Sequence, residues 1–377
     1  IFLFFSSIGR MMKGHSNLPI STSVKWDGAP AIFAGIDPED GKFFVAKKGL
    51  FNVTPKIYKT QGEIHADLQG DLQRKFSVAL EEFRDIGITS GVIQGDLMYT
   101  KSDITPKLID GENYITFHPN TIVYAVPKSK TELYDKIMES NIGVVWHTTY
   151  NGTSLKSMAA TFNQPIIHRL KHHKGVWMND ATYRDVTGNV NFTSAELMKF
   201  REIMSRVGSM LNTIPREVYD LFAKNRDLTI RLHAYNNSKI RAGTKIINVP
   251  QHAKGWLDYF EAYYEKEELS RKTPAGKLKI TQERDKYLIP MKKNQKHIVS
   301  LFMVFEKFIE AKLMVLDKMH KAASLGTFLK TKDGYKVTTP EGYVVSDHLN
   351  NSTVKLVDRL EFSKANFSPE FLKGWAK

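Results

Sequence analysis

The sequence predicts an α+β fold, an antiparallel-sheet-rich core interrupted by a large, mainly helical insertion. Three observations predict it. Segments of strand character run from about residue 20 to 150, helical periodicity replaces them after about residue 190, and strand patterns return from about residue 326. The 377 residues, 42% hydrophobic and 11% aromatic, provide enough apolar surface for more than one core. The expected division is an N-terminal segment 1–19, a core formed by 20–150 and 326–377, and an insertion over 151–325.

The elements follow in order. The opening IFLFF is too short for a secretory leader and lacks a basic flank, and a chain that starts without Met reads as truncated. STSVKW, AIFAGI and KFFVAK are short apolar or alternating runs, the last two joined by the turn-rich DPEDGK. DLQRKFSVALEEFRDIG spaces its apolar residues as a helix does and should pack on a sheet face. GVIQGDLMY, YITFHP, TIVYAV and GVVWHTTY continue the strands, with hairpin signals at Asp110–Gly111 and Asp333–Gly334.

SAELMKFREIMSRVGSMLNTI then reads as a helix with Ser194 as its N-cap, and AKGWLDYFEAYYEKEEL reads the same way. In the longest helix, Ile298, Leu301, Phe302, Phe305, Ile309, Leu313, Leu316 and His320 trace one face, a core seam. RKTPAGKLKITQERDKYLIPMKK, with Pro, Gly and many bases, reads as an exposed connector. GYKVTTPEGYVVSDH and STVKLVDRLEF return to strand character.

Composition narrows the function. No cysteine occurs, which excludes disulfides, thiolate nucleophiles and cysteine–zinc sites and fits a reducing, cytoplasmic compartment. No run of 18 apolar residues occurs, so no membrane partner is expected. The net charge is +14, and residues 191–330 carry 26 Lys and Arg against 15 Asp and Glu, or +11 of it. A polyanionic partner, nucleic acid first, fits that bias. Lys272, Lys277, Lys279, Lys292, Lys293 and Lys296 form the candidate cluster for it.

The chemistry-bearing residues are few and ordered. Lys25-Trp26-Asp27-Gly28 ends a strand in turn chemistry. Lys47-Lys48-Gly49 ends the following hairpin, and Asp96 stands inside the apolar strand GVIQGDLMY. Glu341 precedes Gly342 and an apolar strand, Lys355 sits between Val354 and Leu356, and Arg359 follows. Any one of these reads as an edge charge that blocks aggregation. The ordered set does not.

That order resembles the covalent nucleotidyltransferase superfamily, the ATP-dependent DNA ligases, RNA ligases and mRNA-capping enzymes. Its pattern is Lys-x-Asp-Gly, an acidic strand, an aromatic strand, Glu-Gly-apolar-Val and a final strand lysine. The counterparts here are Lys25-Trp26-Asp27-Gly28, Gly95-Asp96, the strand around Tyr124, Glu341-Gly342-Tyr343-Val344, and Lys355. The phage RNA ligase branch is nearest, and SVKWDGAPAIFAGID also resembles uncharacterised proteins of tailed bacteriophages, which implies the cytoplasm of a bacterial host cell if the chain is phage-encoded. The core is thereby implied to be a ligase-type adenylation (ATP-grasp-like) fold. Asp96 stands where glutamate is usual, Val357 replaces a second lysine, and nothing like an OB-fold follows the last motif.

The resemblance implies that Lys25 attacks the nucleotide α-phosphate and forms a lysyl-AMP, with Lys355 assisting. Asp27, Gly28, Lys47, Lys48, Asp96, Tyr124, Glu341 and Arg359 would bind nucleotide, Tyr124 by stacking on the base. Glu341 and Asp96 would hold Mg²⁺ or Mn²⁺, and ATP is favoured over GTP. The acceptor would be an RNA or DNA end. The alternatives are a guanylyltransferase or related enzyme, or a non-catalytic nucleic-acid-binding or virion-associated protein that keeps the fold. The sequence leaves the oligomeric state open.

Overall fold

The computed structural model describes residues 2–13, 20–109, 111–162, 166–180, 191–320, 326–332, 335–347 and 352–374. Asp110, Asp333 and Gly334 of the expected hairpin turns lie outside them. The fold is α+β with antiparallel sheets, and the chain divides into two compact units. Pro19–Asn189, His320–Val357 and Ser368–Lys377 form the β-rich unit; Ile1–Leu18, Val190–Met319 and Asp358–Phe367 form the helical one.

The β-rich unit holds three sheets. β1 (Ile20–Lys25), β14 (Gly342–Asp347) and β15 (Ser352–Val357) form an antiparallel sheet in that order. β2 (Ala31–Ile36), β3 (Phe43–Ala46), β4 (Ile57–Tyr58), β5 (Val92–Thr100), β9 (Ile142–Asn151), β10 (Ala159–Phe162) and β11 (Val176–Asp180) make the second, in which β11 runs parallel to β9. β6 (Thr105–Ile109), β7 (Glu112–Phe117), β8 (Ile122–Pro127), β12 (Gly326–Lys330) and β13 (Tyr335–Val337) make the third, ordered β13-β12-β8-β7-β6.

Both faces of the second sheet are covered over part of its area, which explains why AIFAGI is apolar throughout. Ile32, Ile93, Leu97, Val144 and Trp146 pack with Phe76, Ala79 and Leu80 of α3 (Gly70–Glu82). Phe33, Phe44, Ala46 and Leu50 cluster separately. α2 (Gln61–Asp67) begins in a capping box between Thr60 and Glu63, and α4 (Thr131–Glu139) follows β8. β12 pairs with β8 and β14 with β1, each partner more than 190 positions earlier in the chain.

The helical unit contains α1 (Phe2–Met11), α5 (Ser194–Thr213), α6 (Arg216–Ala223), α7 (Arg226–Arg241), α8 (Val249–Leu269), α9 (Pro274–Lys293), α10 (Gln295–His320, up to Met319) and α11 (Arg359–Phe367). Trp256, Leu257 and Phe260 of α8 meet Leu288 and Met291 of α9 and Phe302 of α10 in one core.

Several expectations are corrected. The β-rich unit runs to Asn189 rather than 150, because β10 and β11 both pair with β9. The opening segment belongs to the helical unit, where α1 packs on α5. Residues 359–367 are helix rather than strand, since Asp358 Oδ1 accepts from the Leu360 and Glu361 amides at 3.1 and 3.3 Å. The expected connector is α9: Pro274 occupies its first turn and Thr273 caps it, while Ile280, Tyr287, Leu288 and Met291 bury one face. The cap of α5 is Thr193, not Ser194. In α10 Ile298, Phe302 and Leu316 of the expected seam are buried and Ala311, Val315 and Met319 join them, whereas Phe305 and Leu313 stay more than 40% exposed.

Candidate functional site

Strand pairing alone brings Lys25 to Glu341. β1 and β14 pair antiparallel with Lys25 opposite Gly342, so the residue before Gly342 lies beside the end of β1. The Lys25 Nζ donates to Glu341 Oε2 in an ion pair whose side chains are 24% and 17% exposed. Gly342 has φ 155°, and a Cβ there would collide with the Leu356 carbonyl, so the β14–β15 approach requires glycine.

Lys355 stands on the same face of this sheet. The register aligns Lys25, Gly342 and Val357 in one row, and Ser23, Val344 and Lys355 in another two residues away. The intervening row of Val24, Tyr343 and Leu356 is buried on the opposite face. Lys355 is exposed, and two strand spacings with a two-residue offset put its Cα roughly 12 Å from that of Lys25.

Asp27 anchors the turn that follows β1. Its Oδ1 accepts from Asn120 Nδ2 at 2.8 Å, and its Oδ2 accepts from the Thr121 and Ile122 amides at 2.8 and 3.1 Å. Both oxygens are therefore committed to the β7–β8 turn rather than to the turn of Asp27 itself. The Asp27 amide in turn donates to the Tyr124 hydroxyl at 2.7 Å. Tyr124 is 1% exposed, its ring stacked on Phe117 and tilted against Trp26. That overturns the expected base-stacking role, because no face of the ring is open. Tyr124→Phe should leave the Asp27 amide unpaired in the interior and cost about 1–3 kcal/mol, read from urea unfolding.

Gly28 is required by close approach. A Cβ there would lie 2.6 Å from Asp96 Cβ and 3.0 Å from the Leu97 carbonyl, so the chain after Lys25 crosses β5 in near contact. Asp96 pairs with Ala31 on one side and Val145 on the other. A bulge in β9 leaves His147 unpaired between Thr148 and Trp146, and its Nε2 lies 3.7 Å from Asp96 Oδ2. The neighbour of His147 in space is fixed by the β5–β9 register, which no local pattern shows.

The electrostatics are those of crowded carboxylates. Burial first, then repulsion from Asp27 and Asp96, holds the Glu341 carboxyl above its usual range, and Lys25 opposes the shift. Among the described residues no three His, Asp or Glu side chains meet as a ready metal cage. Magnesium keeps most of its waters and needs only one or two carboxylates besides phosphate oxygens, so Glu341 and Asp96 fit it as hard oxygen donors.

Other expected residues lie elsewhere. Lys47 is 3.3 Å from Asp67, which also accepts from Lys56 at 2.7 Å and Tyr58 at 2.5 Å. Lys48 is exposed at the start of a short 3-10 turn. Arg359 belongs to the helical unit and donates to Asn237 of α7 at 2.8 Å. The six lysines are exposed but split between the two ends of α9, roughly 22 Å apart along its axis, and Lys292 is tied to Glu261 at 3.0 Å. No described helix is long and apolar enough to cross a membrane.

A family model described as a family of unknown function (DUF6267) matches residues 2–370. No curated protein and no solved structure matches the chain.

Proposed function

We propose, for a chain that belongs to the DUF6267 family, a covalent nucleotidyl transfer from ATP at Lys25, on a ligase-type adenylation core, with nucleic-acid ends as acceptors. The observation that supports it is the convergence of Lys25 and Asp27, Asp96 and Glu341 from three separate stretches, with Lys355 on the face of Lys25. The motif order described above is the second support.

Lys25 must shed a proton before it can attack. Glu341 touches the amine, and its raised affinity for protons suits it to accept that proton. The freed nitrogen lone pair then forms the bond to the α-phosphorus as the bond to pyrophosphate breaks. Lys355, exposed on the same face, reaches phosphate oxygens as a positive charge. A divalent ion held by Asp96, and by Glu341 while its carboxylate is ionised, would supply charge neutralisation for the phosphates.

The test is retention of label on the protein after incubation with α-labelled ATP and Mg²⁺; excess unlabelled GTP that removes the label as well as unlabelled ATP does would move the reading to a guanylyltransferase. A second reading, a nucleic-acid-binding or virion-associated protein that keeps the fold without catalysis, is favoured by the closed Lys25–Glu341 ion pair and by Val357 in place of a lysine.

Both readings use the basic helical surface. Replacing Lys277, Lys279, Lys293 and Lys296 with Ala should weaken nucleic-acid binding about equally for all sequences. The slope of log affinity against log salt should fall by about 0.7–0.9 for each phosphate that a lysine no longer neutralises. An unchanged slope in a fluorescence-anisotropy titration would show that these lysines meet no phosphate.

A further inference from the structure

A polar cavity lies in the β-rich unit, with His118 of the turn that holds Asp27 in its wall. It has a volume of about 340 Å³ and is walled by β6, β7, β8, the end of β12 and the segment 372–374. None of its lining residues belongs to the Lys25 group. The tail segment is fastened across it, the Leu372 amide donating to the Lys330 carbonyl at 2.8 Å and the Gly374 amide to the Asn120 carbonyl at 2.7 Å. Gly374 fits only as glycine, since a Cβ would strike the His118 carbonyl.

The lining is basic. Lys107, Lys330 and Lys373 reach it from three different elements. Among the described residues neither Lys107 nor Lys330 has an ion-pair partner, and Lys373 donates to Thr121 Oγ1 at 3.1 Å. The carboxylate in the wall, Asp103, is occupied: Oδ2 accepts from the Thr100 amide and hydroxyl, both at 2.9 Å, and lies 3.5 Å from Lys75. Ser102, Thr105 and Thr116 add hydroxyl-bearing residues.

His118 gives the cavity its second, independent feature. Its Nε2 is shielded from solvent and has no hydrogen-bond partner among the described residues, while its ring bonds the Thr121 backbone. Burial first, and then the positive charge of Lys330 and Lys373, push its pKa down to about 4. The ring is neutral near pH 7, so with one nitrogen donating to the backbone the other is an acceptor. A buried acceptor without a donor costs free energy, and a rotation of the ring toward the cavity that His118 lines would let a ligand hydroxyl relieve it.

We infer that this cavity is a binding site for a phosphate that carries a hydroxyl, the lysines facing the phosphate oxygens and His118 Nε2 accepting from the hydroxyl. Hydrogen phosphate and the phosphorylated end of an RNA strand share that chemistry. The volume accommodates a phosphate together with one ribose. Because His118 lines the cavity and begins the turn whose Thr121 and Ile122 amides hold Asp27, an occupant would lie against the start of the turn that anchors the segment after Lys25.

The test is calorimetric titration of the full chain with inorganic phosphate at fixed ionic strength. Binding should weaken about tenfold or more in the double variant Lys107→Ala/Lys330→Ala. It should also weaken in His118→Phe, which keeps the ring volume and removes the acceptor. Lys25→Ala should leave it unchanged, which separates this site from nucleotidyl transfer.

Competition by a 5′-phosphorylated RNA oligonucleotide, and not by its 5′-hydroxyl counterpart, would identify the strand end as the source. Absence of competition by either would identify free phosphate. Phosphate affinity equal in the wild type and the double variant, or no binding at millimolar phosphate, would overturn the inference. Circular dichroism matching the wild type confirms that the variants are folded.

Discussion

Lys25→Ala should leave the protein without label after incubation with α-labelled ATP and Mg²⁺, under conditions in which the wild type is labelled. The reason is the identity of the bond, a phosphoramidate that only an amine at this position forms. Lys25→Arg should be equally dead, since the guanidinium stays protonated and offers no lone pair. The bound label should be released by acid and survive base, as a P–N bond does and a phosphate ester of serine does not.

Lys355→Ala should slow labelling by about two to three orders of magnitude rather than abolish it, the usual cost of removing one group that stabilises developing phosphate charge. Glu341→Gln should slow the step by about two orders of magnitude at neutral pH, with part of the loss recovered as pH rises and the amine sheds its proton unaided. Label that persists on Lys25→Ala would end the assignment. A wild type that takes no label, yet binds nucleic acid with a steep salt dependence, would establish the non-catalytic reading.

The second large effect concerns folding. Asp27→Ala should destabilise the β-rich unit by about 3–5 kcal/mol, because a buried carboxylate that satisfies two amides and a side-chain amide is removed at once. Asp27→Asn should cost less, since one carbonyl oxygen remains to accept. Thermal unfolding followed by tryptophan fluorescence reports on this directly, as Trp26 and Trp177 lie against each other beside the turn. A loss below about 1 kcal/mol would mean that water or a shifted turn replaces the carboxylate. Asp27→Ala should also lose labelling, through the position of Lys25 and not through any contact with nucleotide.

Much of the architecture was legible because its signals are local. AIFAGI and GVIQGDLMY became β2 and β5, and DLQRKFSVALEEFRDIG became α3, where apolar spacing and burial agree. The failures were also local in cause. Prolines and lysines masked α9, yet Pro274 is tolerated in the first helical turn and the lysines are simply its solvent side. DRLEF continued a strand pattern, but Asp358 offers a cap that turns the chain into α11.

The candidate site divides in the same way. Lys25, Asp96, Glu341 and Lys355 were recognisable in the chain as charges in strand surroundings, and their order carried the family resemblance. What each side chain does was set by partners distant in sequence. Asp27 was singled out as a nucleotide-binding residue, and its carboxylate holds a turn 94 residues away. Tyr124 was expected to offer a face and is enclosed by Phe117 and Trp26. His147 reached Asp96 only because a bulge in one strand re-aims it toward another.

The sequence by itself determined the alternation of strand-rich and helix-rich stretches, the basic bias of the helical segment and the ordered set of lysines and carboxylates. Those properties reside in residue type and spacing, which act over a few residues. Only the tertiary structure decided that Glu341 closes on Lys25, that the Asp27 carboxylate fastens the β7–β8 turn, and that a basic cavity is lined by His118 at the start of the same turn. Strand register makes the difference: a one-residue slip moves every side chain to the opposite face. Contacts between strands hundreds of residues apart leave no trace in any local pattern.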